Sequence, residues 1–231
     1  MLNEIKHDLQ KLANPKKAKI LSGFFKTGKG QYGEGDIFLG ITVPEQRKIA
    51  KKYTSLTLRE IQELLSSDIH EHRLTALFVL IDKYKKSDSI GKKEIFEFYL
   101  NNTKKINNWD LIDLSAEKIL GTYLLEKDKS ILHTLAKSNN LWEKRIAILS
   151  TFQFIKNNKF EDTLKIAELL LDDNHDLIHK AVGWMLREIG KRNQAAEEQF
   201  LKKHCKEMPR TTLRYAIERF DENKRKLYLG K

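Results

Sequence analysis

The chain has 231 residues, of which 40% are hydrophobic and 32% are charged. This balance is typical of a folded protein with a heavily charged surface, and it excludes an intrinsically disordered chain. Lys and Arg total 43 against 32 Asp and Glu, and the resulting formal charge of +11 favours a polyanionic partner such as DNA, RNA or an acidic membrane.

Disulfide-stabilised, secreted and membrane proteins are not supported by the sequence. The single cysteine, Cys205, excludes an internal disulfide and a cysteine-rich zinc site. No apolar run is long enough to span a bilayer, and residues 76–81 form one of the longest. Charges at Glu4, Lys6 and Asp8 interrupt the stretch where a signal peptide needs its apolar core, so we expect a cytoplasmic protein.

Helix-start signals recur along the chain, and alternating strand patterns are scarce. Thr57 with Glu60 forms a capping-box pattern, and Asn140 with Glu143 forms a looser variant of it. Each of the three prolines stands just before an amphipathic run, as proline does in a first helical turn; they are Pro15, Pro44 and Pro209. The sequence therefore predicts an all-α protein.

A glycine-rich segment over residues 23–40 interrupts the helical pattern. Its glycines suggest either a flexible, turn-rich connector or a backbone cradle for a phosphate group. No strand pattern precedes the segment and no Gly-Lys-Ser/Thr sequence ends it, which argues against a nucleotide-binding P-loop. We expect the flexible connector.

A short pattern recurs five times, with a charged residue followed by apolar and small residues. It begins at Arg73, Asp113, Arg145, Lys180 and Arg214, at spacings of 32 to 40 residues. Paired-helix repeats have periods in this range, and small residues allow neighbouring helices to pack closely. We predict a helical-repeat solenoid, forming a single domain over residues 1–231, with these positions in the second helix of each repeat and facing a concave groove.

Four of the five recurring positions are basic, and we call them the basic stripe: Arg73, Arg145, Lys180 and Arg214. One cation per repeat along one face is suited to contact with a phosphate backbone. The alternative is that these residues are ordinary solvated charges on helix surfaces.

Asp113 is the one acidic residue among the five recurring charged positions, and two tryptophans stand four residues away from such positions. Trp109 stands four residues before Asp113, and Trp184 stands four residues after Lys180, so each pair shares a helix face. Aromatic rings beside a carboxylate suit a cationic or sugar-like ligand, although most tryptophans are core residues. Asp113 either pairs with Arg145 in a structural role or stabilises the positive charge that develops on a sugar when its glycosidic bond breaks.

No metal or cofactor is predicted. The histidines form no HExxH motif, and no carboxylate spacing completes a metal site around the pairs His70/His72 and His175/His179.

Seven segments, taken together and in order, resemble those of a known family. They are FFKTG (24–28), YGEGD (32–36), FLGI (38–41), NWDLID (108–113), WEKRIA (142–147), KAVGWMLRE (180–188) and RTTLRYAI (210–217). Over about residues 15–220 the chain resembles the DNA alkylation repair glycosylases built from HEAT-like repeats, the AlkD type. One departure is Val43, which stands where some relatives have a threonine directly before the proline.

The resemblance implies a monomeric, monofunctional DNA glycosylase that needs no cofactor. Its substrates would be positively charged N3- and N7-alkylated purines in duplex DNA, such as 3-methyladenine and 7-methylguanine, hydrolysed without a base-flipping pocket. It further implies that Trp109 and Trp184 contact the deoxyribose, that Asp113 stabilises the oxocarbenium ion and positions water, and that Arg145 holds a phosphate and the Asp113 carboxylate.

The DNA-binding residues expected outside this catalytic set come from the resemblance and from the basic stripe. Arg47 and Arg187 match DNA-contacting positions of the family, and Arg73, Lys180 and Arg214 are expected to contact phosphates.

Two other functions are consistent with the same sequence. One is a non-catalytic binder of damaged or branched DNA, and the other is a helical-repeat scaffold for an acidic protein partner.

Overall fold

The computed structural model describes residues 1–230. These residues form helices, turns and loops, and their only strand-type pairing is an isolated parallel bridge between Ile37 and Ile69. The prediction of an all-α protein is therefore confirmed. The chain divides into two compact units, Met1–Ser115 and Ala116–Lys231. The single domain expected over residues 1–231 stays a prediction.

The first unit contains six helices and most of a seventh. They are α1 (Leu2–Lys11), α2 (Pro15–Phe24), α3 (Val43–Lys52), α4 (Leu58–Leu65), α5 (His70–Lys86), α6 (Ser89–Asn101) and α7 (Trp109–Ala116). Helix α5 forms the centre of this unit, because every residue over 70–81 is buried and α1, α3, α4 and α6 all pack against it.

The second unit begins where α7 ends. A π-helical turn (Glu117–Gly121) leads into α8 (Thr122–Leu124), α9 (Ser130–Ala136), α10 (Leu141–Ser150), α11 (Phe152–Lys156), α12 (Glu161–Leu169), α13 (Asp176–Gly190), α14 (Gln194–His204) and α15 (Arg210–Ala216). A 3-10 turn (Ile217–Arg219) and α16 (Glu222–Leu229) follow. Helix α13 packs against α10, α12, α14 and α15 and forms the centre of this unit.

The predicted helix starts are present. The Asn14 side chain caps α2 ahead of Pro15, and the Thr57–Glu60 capping box opens α4. Asn140 Oδ1 accepts from the Trp142 and Glu143 amides at the start of α10. These contacts satisfy amide groups that have no partner within the helix, so local sequence alone specifies where these helices begin.

The recurring sequence pattern corresponds to real helices. Its five starting positions lie in α5, α7, α10, α13 and α15, so the predicted helical repeats are confirmed. The small residue in the fourth repeat has the expected effect: a Cβ on Gly183 would lie 2.5 Å from the Thr212 carbonyl oxygen, because α13 and α15 approach closely there. Within residues 1–230, no helix combines the length and apolar character needed to cross a membrane.

Candidate functional site

Helix α7 presents Trp109 and Asp113 one helical turn apart. The Trp109 ring is half-buried and stacks on Phe25, with ring centroids 4.9 Å apart and planes 8° apart. Phe24 meets the same indole edge-on at 5.9 Å. The Asn108 side chain accepts from the Trp109 amide at 2.8 Å and so caps the helix start. The position of Trp109 is therefore held by both backbone and ring contacts.

A cavity of about 410 Å³ lies beside these residues. Phe24, Phe25, Leu74 and Trp109 contribute to its walls, which are almost entirely apolar, and Asp113 also lines it. The sequence did not predict this cavity. Its walls come from α2, the following loop, α3, α5 and α7, and no local sequence pattern indicates that these five segments meet.

The Asp113 carboxylate has an electrostatic effect on the inner side of its helix. Burial is the main cause of the raised pKa of Tyr99, and the negative charge of Asp113 raises it further. The Tyr99 hydroxyl lies 2.8 Å from Ser115 Oγ and is completely buried. Tyr99 therefore stays protonated over the physiological pH range and acts as a structural hydrogen-bonding group.

Beneath Trp109 lies a buried polar network that we call the His70 cluster, consisting of Asp36, His70, Arg73, Asn108 and Asp110. His70 Nδ1 lies 2.9 Å from Asp36 Oδ2, and His70 Nε2 lies 2.8 Å from Asp110 Oδ2. Arg73 Nη2 donates to Asp36 Oδ1 at 2.5 Å, and Asn108 Nδ2 donates to Asp36 Oδ2 at 3.1 Å. This cluster joins the glycine-rich segment to α5 and α7, and it was not predicted from the sequence.

The prediction of a flexible connector is wrong for the end of the glycine-rich segment. The buried Glu71 carboxylate accepts hydrogen bonds from the amides of Leu39, Gly40 and Ile41, at 2.9, 2.8 and 3.2 Å. Gly40 has φ +84°, and a Cβ there would lie 2.2 Å from the Asn14 carbonyl oxygen. Only glycine fits this position, so the segment is held firmly against α5 and the start of α2.

Arg73 does not belong to the basic stripe as predicted. Its side chain is 5% exposed, it is paired with Asp36, and Nη1 donates to the Ser67 carbonyl at 3.0 Å. The guanidinium of Arg73 is used inside the fold, so the structure gives no support to its phosphate contact, which stays a prediction. Arg47 is half-buried, and its guanidinium lies 4.1 Å from the centre of the Phe78 ring, a cation–π arrangement.

In the second unit, Arg145 and Trp184 are both held by neighbours. Arg145 lies on α10, is 5% exposed, and donates from Nη1 to the Leu177 carbonyl at 2.5 Å. Trp184 lies half-buried on α13, where its indole N–H donates to Glu188 Oε1 at 3.3 Å. Its ring lies 5.8 Å from that of Phe152. Fixed side chains are what a preorganised site requires.

The remaining basic residues of the second unit differ in whether their charge is already paired with a carboxylate. Lys180 pairs with Asp176 at 2.6 Å on the surface of α13, and Arg187 pairs with Glu218 of the 3-10 turn. Arg214 is exposed on α15. An exposed ion pair such as Lys180–Asp176 is worth little in water, so Lys180 can exchange its partner for a phosphate at small cost.

No cluster of three or more His, Cys, Asp or Glu side chains suited to a metal ion occurs among residues 1–230.

Fold and side chains together describe a helical-repeat protein that presents a tryptophan and a carboxylate beside an apolar cavity in its first unit. Comparison with known families gives the class a name. The profile of the DNA alkylation repair enzyme family matches residues 5–220, so the chain belongs to that family.

Solved structures with the same fold are distant in sequence. A predicted DNA alkylation repair enzyme from Enterococcus faecalis is 18% identical, with a TM-score of 0.71, and the match covers 91% of this chain and 97% of that one. AlkD2 from Streptococcus mutans is 19% identical (TM-score 0.57; 89% and 98% covered). The protein smu.31 from Streptococcus mutans UA159 is 23% identical (TM-score 0.55; 78% and 93% covered). No curated protein matches the chain.

Proposed function

We propose that this chain is a monofunctional DNA glycosylase that removes N3- and N7-alkylated purines from duplex DNA. The observation that carries the proposal is the pairing, in a member of the DNA alkylation repair enzyme family, of Trp109 and Asp113 on one face of α7 beside an aromatic cavity. A monomeric, cytoplasmic enzyme that needs no cofactor is part of the same proposal.

The chemistry of the substrate determines what the protein has to supply. An N3- or N7-alkylated purine carries a positive charge, and it leaves as a neutral base when the bond between the sugar C1′ and the purine nitrogen breaks with both electrons going to the base. The positive charge passes to the sugar, water adds to C1′, and a proton is released to leave an abasic site. No acid is needed for the leaving group, whereas a carboxylate close to C1′ stabilises the cationic sugar.

The side chains of the first unit are suited to this task. Asp113 is half-buried and lines an almost entirely apolar cavity, where a charge is screened less than in open water. We assign it the stabilisation of the oxocarbenium ion and the positioning of water. Trp109, whose ring is fixed against Phe25, contacts the deoxyribose.

The side chains of the second unit receive the roles that the family resemblance and the basic stripe predict. Trp184 contacts deoxyribose, and Arg145 holds a phosphate. Lys180, Arg187 and Arg214 contact the backbone, as does Arg47 of the first unit. The formal charge of +11 supports binding to a polyanion.

We also propose that the damaged base is not taken into a dedicated pocket. The cavity beside Trp109 offers few hydrogen-bonding groups, and a purine placed there would leave its amino, carbonyl or ring nitrogen groups without partners. Burying such groups unpaired costs about 1–3 kcal/mol each. Recognition from the side of the sugar and phosphate avoids this cost.

The decisive experiment uses a duplex that contains a single 7-methylguanine, incubated with excess protein. Chromatography measures the free base, and strand breakage is measured before and after alkali. We expect release of 7-methylguanine and an abasic site that breaks only after alkali. Breakage without alkali would contradict the monofunctional assignment. Salt-sensitive binding without base release would instead support the alternative, a non-catalytic binder of damaged or branched DNA, which the same net charge favours.

A further inference from the structure

His70 has a bonding arrangement that neither the family match nor the proposed function explains. It is the first residue of α5, its side chain is 2% exposed, and a carboxylate oxygen faces each ring nitrogen. Asp36 lies on the Nδ1 side at 2.9 Å and Asp110 on the Nε2 side at 2.8 Å. Since a carboxylate only accepts, both ring nitrogens donate, and the ring is an imidazolium cation.

The surrounding charges support this protonation state. Burial alone would lower the pKa of His70, but the carboxylates of Asp110 and Asp36 outweigh burial and the charge of Arg73, and they raise it to about 9. Burial tends to raise the pKa of Asp36, and hydrogen bonding and charge from His70 and Arg73 lower it overall. The cluster therefore contains two carboxylates and two cations, which compensate one another inside the fold.

The cluster acts directly on the first turn of α7. Asp110, the second residue of that helix, contacts His70 with one oxygen and accepts from the Leu111 amide with the other, at 2.8 Å in both cases. Asn108 donates to Asp36 and accepts from the Trp109 amide. The residues on both sides of Trp109 thus belong to the cluster, with Asn108 bonded to Asp36 and Asp110 bonded to His70.

The aromatic rings provide a second connection. Phe25, which stacks on Trp109, also contacts the His70 ring, with centroids 5.1 Å apart. Phe38 stacks on both of these rings, with its centroid 4.5 Å from that of His70 and 5.0 Å from that of Phe25. Movement of the imidazole would therefore disturb the ring against which Trp109 packs.

We propose that His70 is a positioning residue for base excision, whose bonds to Asp36 and Asp110 hold the first turn of α7 so that Trp109 and Asp113 meet the sugar of the lesion in a productive geometry. This inference rests on the glycosylase function proposed above. His70 itself touches no reacting atom, and its effect reaches the chemistry through α7.

The test compares His70→Gln with a matched control, His72→Gln. His72 lies on the same helix, is 5% exposed and bonds to Ser67 Oγ at 3.0 Å. Burial lowers the pKa of His72 to about 4, so this residue is neutral, and it does not belong to the cluster. Misplacement of a reacting group by about 1 Å can cost 100-fold in rate. We expect His70→Gln to slow single-turnover release of 7-methylguanine by about 10- to 100-fold with DNA affinity within about twofold, and His72→Gln to release base at nearly the wild-type rate.

Two further measurements separate positioning from folding. Asp110→Asn keeps the shape of the side chain and should show the same slow release. It provides the test of the proposal if His70→Gln is poorly folded. The indole N–H resonance of Trp109 should shift in His70→Gln and Asp110→Asn but not in His72→Gln. A wild-type release rate per folded molecule in both cluster variants, with an unchanged Trp109 resonance, would overturn the proposal.

The pH profile gives a readout that a purely structural role would not change. The charged groups that face His70 are Asp36 from the loop, Asp110 from α7 and Arg73 from its own helix. Because the pKa of His70 in the folded state is about 9, the ring stays an imidazolium at lower pH and loses this form as pH rises through about 9. The stability that the imidazolium contacts contribute is fully present below the ordinary pKa of 6.5 and is lost as pH rises through about 9. Enzymatic release, corrected for spontaneous release, should fall across pH 8–10 in the wild type, and this step should be absent in His70→Gln.

The outcomes also separate this inference from the proposed function. If the wild type releases no base, the glycosylase function fails, while the Trp109 resonance still reports whether His70 fixes α7. If the wild type releases base and both cluster variants release it equally fast, the function stands and the positioning role of His70 is refuted.

Discussion

The charge of Asp113 is the most direct test of how the site works. Asp113→Asn keeps the size and shape of the side chain and removes one negative charge, which raises the formal net charge from +11 to about +12. On the proposed mechanism the carboxylate acts when the sugar becomes cationic, so excision should slow while binding of the anionic DNA is retained or strengthened.

The expected magnitude follows from where Asp113 lies. It is half-buried and borders an almost entirely apolar cavity, an environment in which an effective dielectric constant near 20 is appropriate. A carboxylate about 4 Å from a unit positive charge then contributes about 4 kcal/mol, which corresponds to a rate factor of about 10³. The asparagine dipole retains part of this effect, so we expect release to fall about 10²- to 10³-fold.

The assay is single-turnover release of 7-methylguanine, with DNA affinity and thermal unfolding measured on the same preparation. Glu97→Gln is the matched control, because it removes one exposed carboxylate from α6 of the same unit without touching the cavity. Slow release with intact binding and unfolding temperature in Asp113→Asn, and wild-type behaviour in Glu97→Gln, is the expected result. A wild-type release rate in Asp113→Asn would refute the catalytic role, and loss of stability with normal activity per folded molecule would make Asp113 structural.

Three further substitutions test an aromatic contact, an exposed cation and a buried carboxyl group. Trp109→Ala should slow base release strongly and lower the unfolding temperature only slightly. A large loss of stability with normal release per folded molecule would make Trp109 a core residue. Arg214→Ala, which removes an exposed cation, should lower the slope of log affinity against log salt by about 0.9 if it contacts a phosphate, and an unchanged slope would exclude that contact. Burial raises the pKa of Glu197 to about 8, so its folded form holds a proton that the unfolded chain loses above its ordinary pKa near 4.5. The wild type therefore loses stability as pH rises through this range, and Glu197→Gln should unfold at a higher temperature than wild type at pH 8 but not at pH 4.5, as measured by calorimetry.

Local sequence determined the helices and their repetition. The Thr57–Glu60 capping box and the Asn140 cap satisfy amides within three residues along the chain, so the signal and the structure it specifies are adjacent. Gly183 likewise indicated a close contact between helices. Glycine destabilises a helix interior, so its presence there is best explained by a neighbouring backbone that leaves no room for a side chain. The spacing of Trp109 and Asp113 also needed no tertiary information, since residues four apart share a helix face.

The tertiary structure alone decided which charged residues are used inside the fold. Arg73 fits the sequence pattern of the basic stripe as well as Arg214 does, yet Arg73 is buried against Asp36 and Arg214 is exposed. Asp36, His70 and Asp110 are 34 to 40 residues apart in successive steps along the chain, and nothing in their local sequences indicates that they meet. The physical reason is the distance along the chain over which each effect acts. Capping and periodicity depend on residues within a turn or two of helix, whereas the partner of a buried charge depends on how segments distant in sequence pack together.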